Sequence, residues 1–156
     1  MRRNMTEQKN TTMKALGQFI KDLSFENIAA QESRQGTGTP DIQVKINLDA
    51  SKREQENQYN SSIKINIESK DTETQENIFL LELDYGGIFV IENAPEDQLH
   101  PLLMIECPRM LFPFIRRVIH DVTRDGGYPP LNLDSIDFLS MYKAEVDRLS
   151  SEAKMN

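Results

Sequence analysis

Apolar and polar residues alternate through the middle of the chain. Between Asp41 and Asp49, Ile42, Val44, Ile46 and Leu48 fall on one side, and Gln43, Lys45, Asn47 and Asp49 on the other. A period of two sends side chains to opposite faces of a strand, so this stretch predicts a half-buried antiparallel strand. Tyr59–Ile67 repeats the pattern, with Tyr59, Ile63, Ile65 and Ile67 on the apolar side. Ile78–Tyr85 has Phe79, Leu81, Leu83 and Tyr85 in one row, and Ile78, Leu80, Glu82 and Asp84 in the other. The polar links Ser51–Asn57 and Ser69–Asn77 are short, which implies a meander of antiparallel neighbours. Gly86-Gly87, followed by Ile88–Ile91, leaves two options open: a hairpin turn, or a bend within one long strand. Upstream, Leu16–Ile28 has strand character. Phe19, Leu23 and Phe25 are expected on one side of it, and Asp22, Ser24 and Glu26 on the other. Gln31–Pro40 reads as a loop by its Gly, Ser and Pro content.

The period then changes. Pro108–Gly127 predicts a long helix: Pro108 suits a first turn, and Gly126-Gly127 suits a C-terminal stop. Pro113 inside it predicts a local irregularity. Asn93 with Glu96 resembles an N-terminal cap for a short helix from Pro95 to about Ile105. Tyr128–Leu133, YPPLNL, reads as an extended crossing. Asp134 or Ser135 is the expected cap of a last helix, in which Phe138, Leu139, Tyr142, Val146 and Leu149 recur at helical spacing to about Ser151. Strands first and helices afterwards make an α+β fold with segregated layers.

The long helix carries more apolar surface than one sheet can cover. Met110, Leu111, Phe112, Phe114, Ile115, Val118, Ile119 and Val122 fill an arc of roughly 200°, whereas a helix lying on a sheet needs little more than ~100°. Two surfaces should therefore flank it. The second is another copy of the chain or, alternatively, the C-terminal helix of the same chain. An oligomer interface built on Leu111, Phe112, Ile115, Val118, Ile119 and Val122 is the expectation.

Length and composition bound the rest. The 156 residues fit one domain, expected over 13–150, with a disordered tail over 1–12 and a polar tail over 151–156. The net charge of −7 is unevenly spread: residues 21–100 hold seven basic and sixteen acidic side chains. Such a half-domain repels phosphate and suits a basic protein partner, which argues against nucleic acid. One cysteine, Cys107, excludes an internal disulfide framework. The basic N-terminus lacks the apolar run of a signal peptide, and no segment approaches the ~20 apolar residues that span a bilayer. A cytoplasmic location is expected. His100 and His120 have no nucleophile at motif spacing, and one Cys with two His makes no zinc motif. The chain is therefore expected not to be an enzyme, and to need neither metal nor cofactor.

Several segments together resemble the SecB family of export chaperones: KDLSFEN, FLLELDYGGIF and ECPRMLFPFIRRVIHDVTRDGGYPPLNLDSIDFLSMY. The likeness covers roughly residues 12–145. It implies a four-stranded antiparallel sheet followed by a long helix and a C-terminal helix, assembled as a homotetramer, a dimer of dimers. It implies an ATP-independent holdase that keeps unfolded precursor proteins competent for translocation and passes them to the export ATPase SecA. SecA would dock through a basic, zinc-binding C-terminal segment on Asp22, Glu26, Leu80 and Glu82. A client groove would draw on Val44, Ile46, Leu48, Leu83, Tyr85, Phe138 and Tyr142. A SecB-like chaperone that controls a toxin–antitoxin pair is the alternative reading.

Overall fold

The computed structural model describes residues 9–35 and 38–155. Four strands, β1 (Thr12–Glu26), β2 (Pro40–Lys52), β3 (Gln58–Asp71) and β4 (Asn77–Glu92), form one sheet in the order β1-β4-β3-β2. All neighbours are antiparallel. A four-residue helix, α1 (Ile28–Gln31), leads from β1 toward β2. The helical part comprises α2 (Glu96–Pro101), a π-helical segment (Leu102–Glu106), α3 (Cys107–Asp125) and α4 (Phe138–Met155).

Gly86 and Gly87 lie within a single 16-residue strand, which resolves the choice left by the sequence. Across the sheet, Ile46, Ile65 and Leu83 are in register, as are Val44, Ile67 and Leu81. This apolar face meets Leu103, Ile105, Leu111, Ile115 and Ile119 from the helical side to form the core. Ile63, Ile65, Leu81, Leu83, Leu111, Ile115 and Ile119 are each fully buried.

β1 departs from simple alternation. It starts at Thr12, where Thr11 Oγ1 already donates to Asn93 O at 2.8 Å, so ordered structure begins before the expected Leu16. Residues 1–8 of the expected tail lie outside the described residues. Register shifts occur between Ala15 and Gly17 and between Ile20 and Asp22. An extra residue in one strand reverses the facing of every residue beyond it. Phe19 pairs with Gly86 and faces outward, whereas Leu23 and Phe25 pair with Leu83 and Leu81 on the core face. The expectation that all three share a side is thereby corrected.

The helical part is also more continuous than expected. Asn93 is no cap: it takes a left-handed φ of 59°, and its Nδ2 donates to Asn10 O. Helix α2 starts after Pro95, and helical geometry then runs from Glu96 to Asp125. Pro108 has no N–H to donate and its ring crowds the carbonyl four residues back. The widened turn before it, closed by Cys107 N–H to Leu102 O, accommodates that proline within the run. At the other end Gly127 takes a φ of +90°. Tyr128 N–H then reaches Thr123 O at 3.1 Å and Gly127 N–H reaches Arg124 O at 3.0 Å, closing the helix as the glycine pair predicts. Thr123 is fully buried, and its hydroxyl donates to Ile119 O and accepts from Leu131 N–H, which fixes the crossing on α3. The cap of α4 is Asp137, whose carboxylate accepts from Ser140 N–H and Oγ–H and is held below its usual pKa by those bonds. Helix α4 continues to Met155, past the expected end at Ser151.

Candidate functional site

The sheet face turned away from the helices gathers the acidic residues singled out in the sequence. Glu26 pairs with Leu80, Ser24 with Glu82 and Asp22 with Asp84. Directly opposed residues share a face, so Asp22, Glu26, Leu80 and Glu82 lie together, with Glu82 diagonal to both Asp22 and Glu26. Diagonal neighbours on adjacent strands are roughly 7–8 Å apart. The bulge at Lys21 lies upstream of Asp22 and so leaves this phase intact. Asp22, Glu26 and Glu82 are exposed, and Leu80 is half-buried among them.

This face keeps like charges together at a cost. Asp22 stands directly across from Asp84, an arrangement that destabilises an antiparallel pair. Lys21 reaches Asp84 only at 4.0 Å. Asp84 Oδ1 and Asn66 Oδ1 are buried without a hydrogen-bond partner among the described residues. Asn66 lies beside Glu82 in register, in a shallow depression of about 190 Å³ with Gln43, Lys45 and Glu68. The surface thus offers acceptors and negative charge, and a complementary partner must supply donors and positive charge.

Apolar concavities open on the helical side. One, of about 250 Å³, lies between β2 and α4 and is lined by Ile46, Leu48, Met104, Met141, Tyr142, Val146 and Leu149. His100 Nδ1 lies 3.1 Å from Tyr142 Oη and ties α2 to α4 at its rim. Ile46, Leu48 and Tyr142 from the expected client set therefore come together here. Val44 is two residues further along the same face of β2 and is exposed. Leu83, Tyr85 and Phe138 do not join them. They are buried in the core of the protomer, Phe138 edge-on against Phe112 at 5.7 Å, because α3 and α4 cover that end of the sheet.

The second concavity, of about 400 Å³, has no counterpart in the sequence pattern. The Tyr128–Leu131 crossing forms one wall, and Gly38 and Pro40 form the other. Ile42, Ser69, Ile78 and Phe79 form its floor. Ser69 Oγ is buried there without a hydrogen-bond partner among the described residues. The proline pair in the crossing is the one local signal for it. That signal omits the convergence of three separate segments on the crossing.

The expected oligomer residues divide. Leu111, Phe112, Ile115 and Ile119 are already covered inside the protomer, so they supply no free face. Val118 and Val122 are half-buried, and Met110 and Phe114 are the exposed remainder of the arc.

Groups with reactive side chains are tied to structure. His120 Nδ1 meets Asn132 Oδ1 at 2.8 Å. Among the described residues, no group of three or more His, Cys, Asp or Glu side chains could hold a metal ion. Cys107 is fully buried with its Sγ 3.6 Å from Met13 Sδ, and burial, aided by the Glu106 charge, pushes its thiol up to about 12. The thiolate is the reactive form. Native protein at pH 8 should therefore resist iodoacetamide for hours, and denaturant should release one rapidly alkylated thiol per chain. Fast labelling of native protein at pH 8 would contradict this placement.

Among the described residues, no helix is long and apolar enough to cross a membrane. Residues 6–149 match the family described as "Preprotein translocase subunit SecB". The protein-export protein SecB of Dinoroseobacter shibae is 61% identical over 137 residues, covering 88% of this chain and 80% of that one. Its counterpart in Roseobacter denitrificans is 57% identical over 148 residues, covering 94% and 89%. Among solved structures, a Mycobacterium tuberculosis SecB-like chaperone in complex with a peptide from the HigA1 antitoxin superposes with a TM-score of 0.64 at 12% identity, covering 80% of this chain and 91% of that one. A match over nearly the whole length, identity above one half and the same sheet-and-helix architecture place this chain in the SecB family.

Proposed function

We propose that the chain is an ATP-independent holdase that binds unfolded precursor proteins in the cytoplasm and hands them to SecA. The observation that carries this reading is the division of the surface. One sheet face gathers exposed acidic residues and orphaned acceptors, while the helical side holds apolar concavities. Clients with many sequences need apolar surface that selects by hydrophobicity, and such exposed patches mark interaction sites. A basic partner needs the opposite chemistry on a separate face, so that it can dock while a client is held. Ile46, Leu48 and Tyr142, with Val44 beside them, and the cleft under Tyr128–Leu131 are the client surfaces. Asp22, Glu26, Leu80 and Glu82 are the SecA surface. The zinc belongs to the SecA segment.

Four copies act together, as a dimer of dimers. Leu16, Phe19, Ile20 and Leu23 on edge strand β1, with Met110 and Phe114 on α3, are exposed apolar side chains that a second copy would cover. Several copies of each groove on one particle would raise holding strength by avidity. The identity of 61% to an export protein, against 12% to the antitoxin-bound chaperone, favours the export reading over control of a toxin–antitoxin pair.

Light scattering behind size exclusion tests both parts, with and without a permanently unfolded polypeptide. The expected free mass is about 72 kDa, four times the 18.0 kDa chain, rising by the client's mass on mixing. A monomer that ignores the client would overturn the proposal.

A further inference from the structure

We infer that Arg34 is a positioning residue for client capture: it holds one wall of the apolar cleft in place without lining it. The inference rests on the reading of that cleft as a client site.

The segment joining β1 to β2 is fastened at three points. At its start, Asn27 Nδ2 donates to Gly126 O at 2.8 Å, and Asn27 Oδ1 accepts from Tyr128 Oη–H, which ties it to the crossing. At its end, Thr39 O accepts from Thr72 N–H at 3.2 Å and from Thr72 Oγ1–H at 3.0 Å. Between them stands Arg34. Its Nη2 donates to Asn77 O at 2.7 Å, its Nη1 lies 3.0 Å from Glu76 Oε2, and its Nε donates to Glu32 Oε2 at 2.7 Å. One guanidinium thus joins the segment to the tip of the β3–β4 hairpin. The residue bonded through its carbonyl, Asn77, immediately precedes Ile78 and Phe79 on the cleft floor.

The local backbone agrees with a fastening role. Ser33 adopts a left-handed φ of 56° as it closes α1: its N–H reaches Ala30 O at 3.1 Å and Arg34 N–H reaches Ala29 O at 2.8 Å. That turn delivers Arg34 to the hairpin. Its guanidinium is half-buried, with its side chain 27% accessible, and is shared among three acceptors from two segments. A planar fork meets such a set; an ammonium cannot. Because the segment itself buries little apolar surface, the bonds of Arg34 should matter less to global unfolding than to where Gly38 and Pro40 stand against Tyr128–Leu131.

The test uses the full chain and a reduced, carboxymethylated α-lactalbumin as the unfolded client. Dissociation is followed by fluorescence, and thermal unfolding and particle mass are measured in parallel. Arg34→Ala should speed client release by about tenfold while leaving the melting midpoint and mass close to those of the parent. Arg34→Lys, which retains charge but loses the fork, should fall between the two and serves the same purpose if the alanine variant folds poorly. Leu131→Ala trims the opposite wall directly. If Arg34 acts through the cleft, the double variant should release client little faster than Leu131→Ala alone. Equal release from Arg34→Ala and parent would overturn the role of Arg34 and leave the chaperone reading standing. Additive losses, accompanied by a lowered midpoint, would reduce Arg34 to a stability residue. A parent chain that fails to hold the client would overturn the chaperone reading and this inference with it.

Discussion

Glu82→Lys is expected to weaken binding of the basic segment proposed to come from SecA, while unfolded client is still held at parental affinity. Glu82 is the middle of the acidic face, diagonal to Asp22 and Glu26 across the β1–β4 ladder. Reversal removes one attraction and places a cation against an approaching cation, and like-charge juxtaposition at an interface is strongly unfavourable. A loss on the order of a hundredfold is expected at low salt, narrowing as salt screens the face. Glu82→Gln should lose less, because it removes attraction without adding repulsion. Asp22, Glu26 and Glu68 lie diagonal to Glu82 in the folded sheet and outnumber Lys64, so its reversal should not add net repulsion and should leave the urea midpoint close to that of the parent. Fluorescence anisotropy of a labelled SecA segment, read beside client retention and urea unfolding, separates the possibilities. Equal loss of both binding activities, or a lowered midpoint, would count against the division of the surface into two faces.

The ladder of β2, β3 and β4 was legible because an antiparallel sheet covered on one side writes itself as alternation. Ile42–Leu48 and Tyr59–Ile67 behave as that pattern requires. β1 was only partly legible. Its two register shifts come from single extra residues, Leu16 and Lys21, and neither changes the local composition. Alternation alone therefore puts Phe19 on the wrong face, while Asp22 and Glu26, beyond the second shift, keep their phase. Caps are hard to place for a related reason: Asn93, Asp134, Ser135 and Asp137 are all chemically able to cap, and only the tertiary path selects Asp137. The shared face of Asp22, Glu26, Leu80 and Glu82 is reached by resemblance and by strand phase together. The residues expected to form a client groove divide by burial, because periodicity marks an apolar face and is silent on what covers it. Leu83, Tyr85 and Phe138 are covered within the protomer; Ile46, Leu48 and Tyr142 are not fully covered. The cleft beneath the crossing needs segments far apart in sequence, and no local pattern encodes such a meeting.

The glycine pair within β4 allows the sharpest test of how the helical layer sits on the sheet. The two residues are adjacent, both are buried, and neither takes a left-handed φ, so conformation does not distinguish them. Their faces do. A Cβ on outward-facing Gly86 would meet Lys21 Cδ at 2.9 Å, the middle of a flexible and exposed side chain that can swing aside. A Cβ on Gly87 would meet Leu111 Cδ2 at 3.0 Å, Phe89 Cε2 at 2.9 Å and the backbone oxygen of Gly17 at 3.2 Å. Leu111 and Phe89 are fully buried core residues, and the third obstacle is main chain. A packed interior resists added volume, so relief requires Phe89, Leu111 and the β1 backbone all to give way. Gly87→Ala should cost about 1–3 kcal/mol, and Gly87→Val more, through overpacking. Gly86→Ala should stay within about 0.5 kcal/mol of the parent, because the Lys21 side chain alone has to move and Ser61 O, at 3.4 Å, is at ordinary contact distance. Urea unfolding of the three variants reads this directly. Similar losses at both positions would mean that the pair matters to the strand itself; a loss confined to Gly87 means that the glycine is there so that Phe89 and Leu111 can pack over it on the core face.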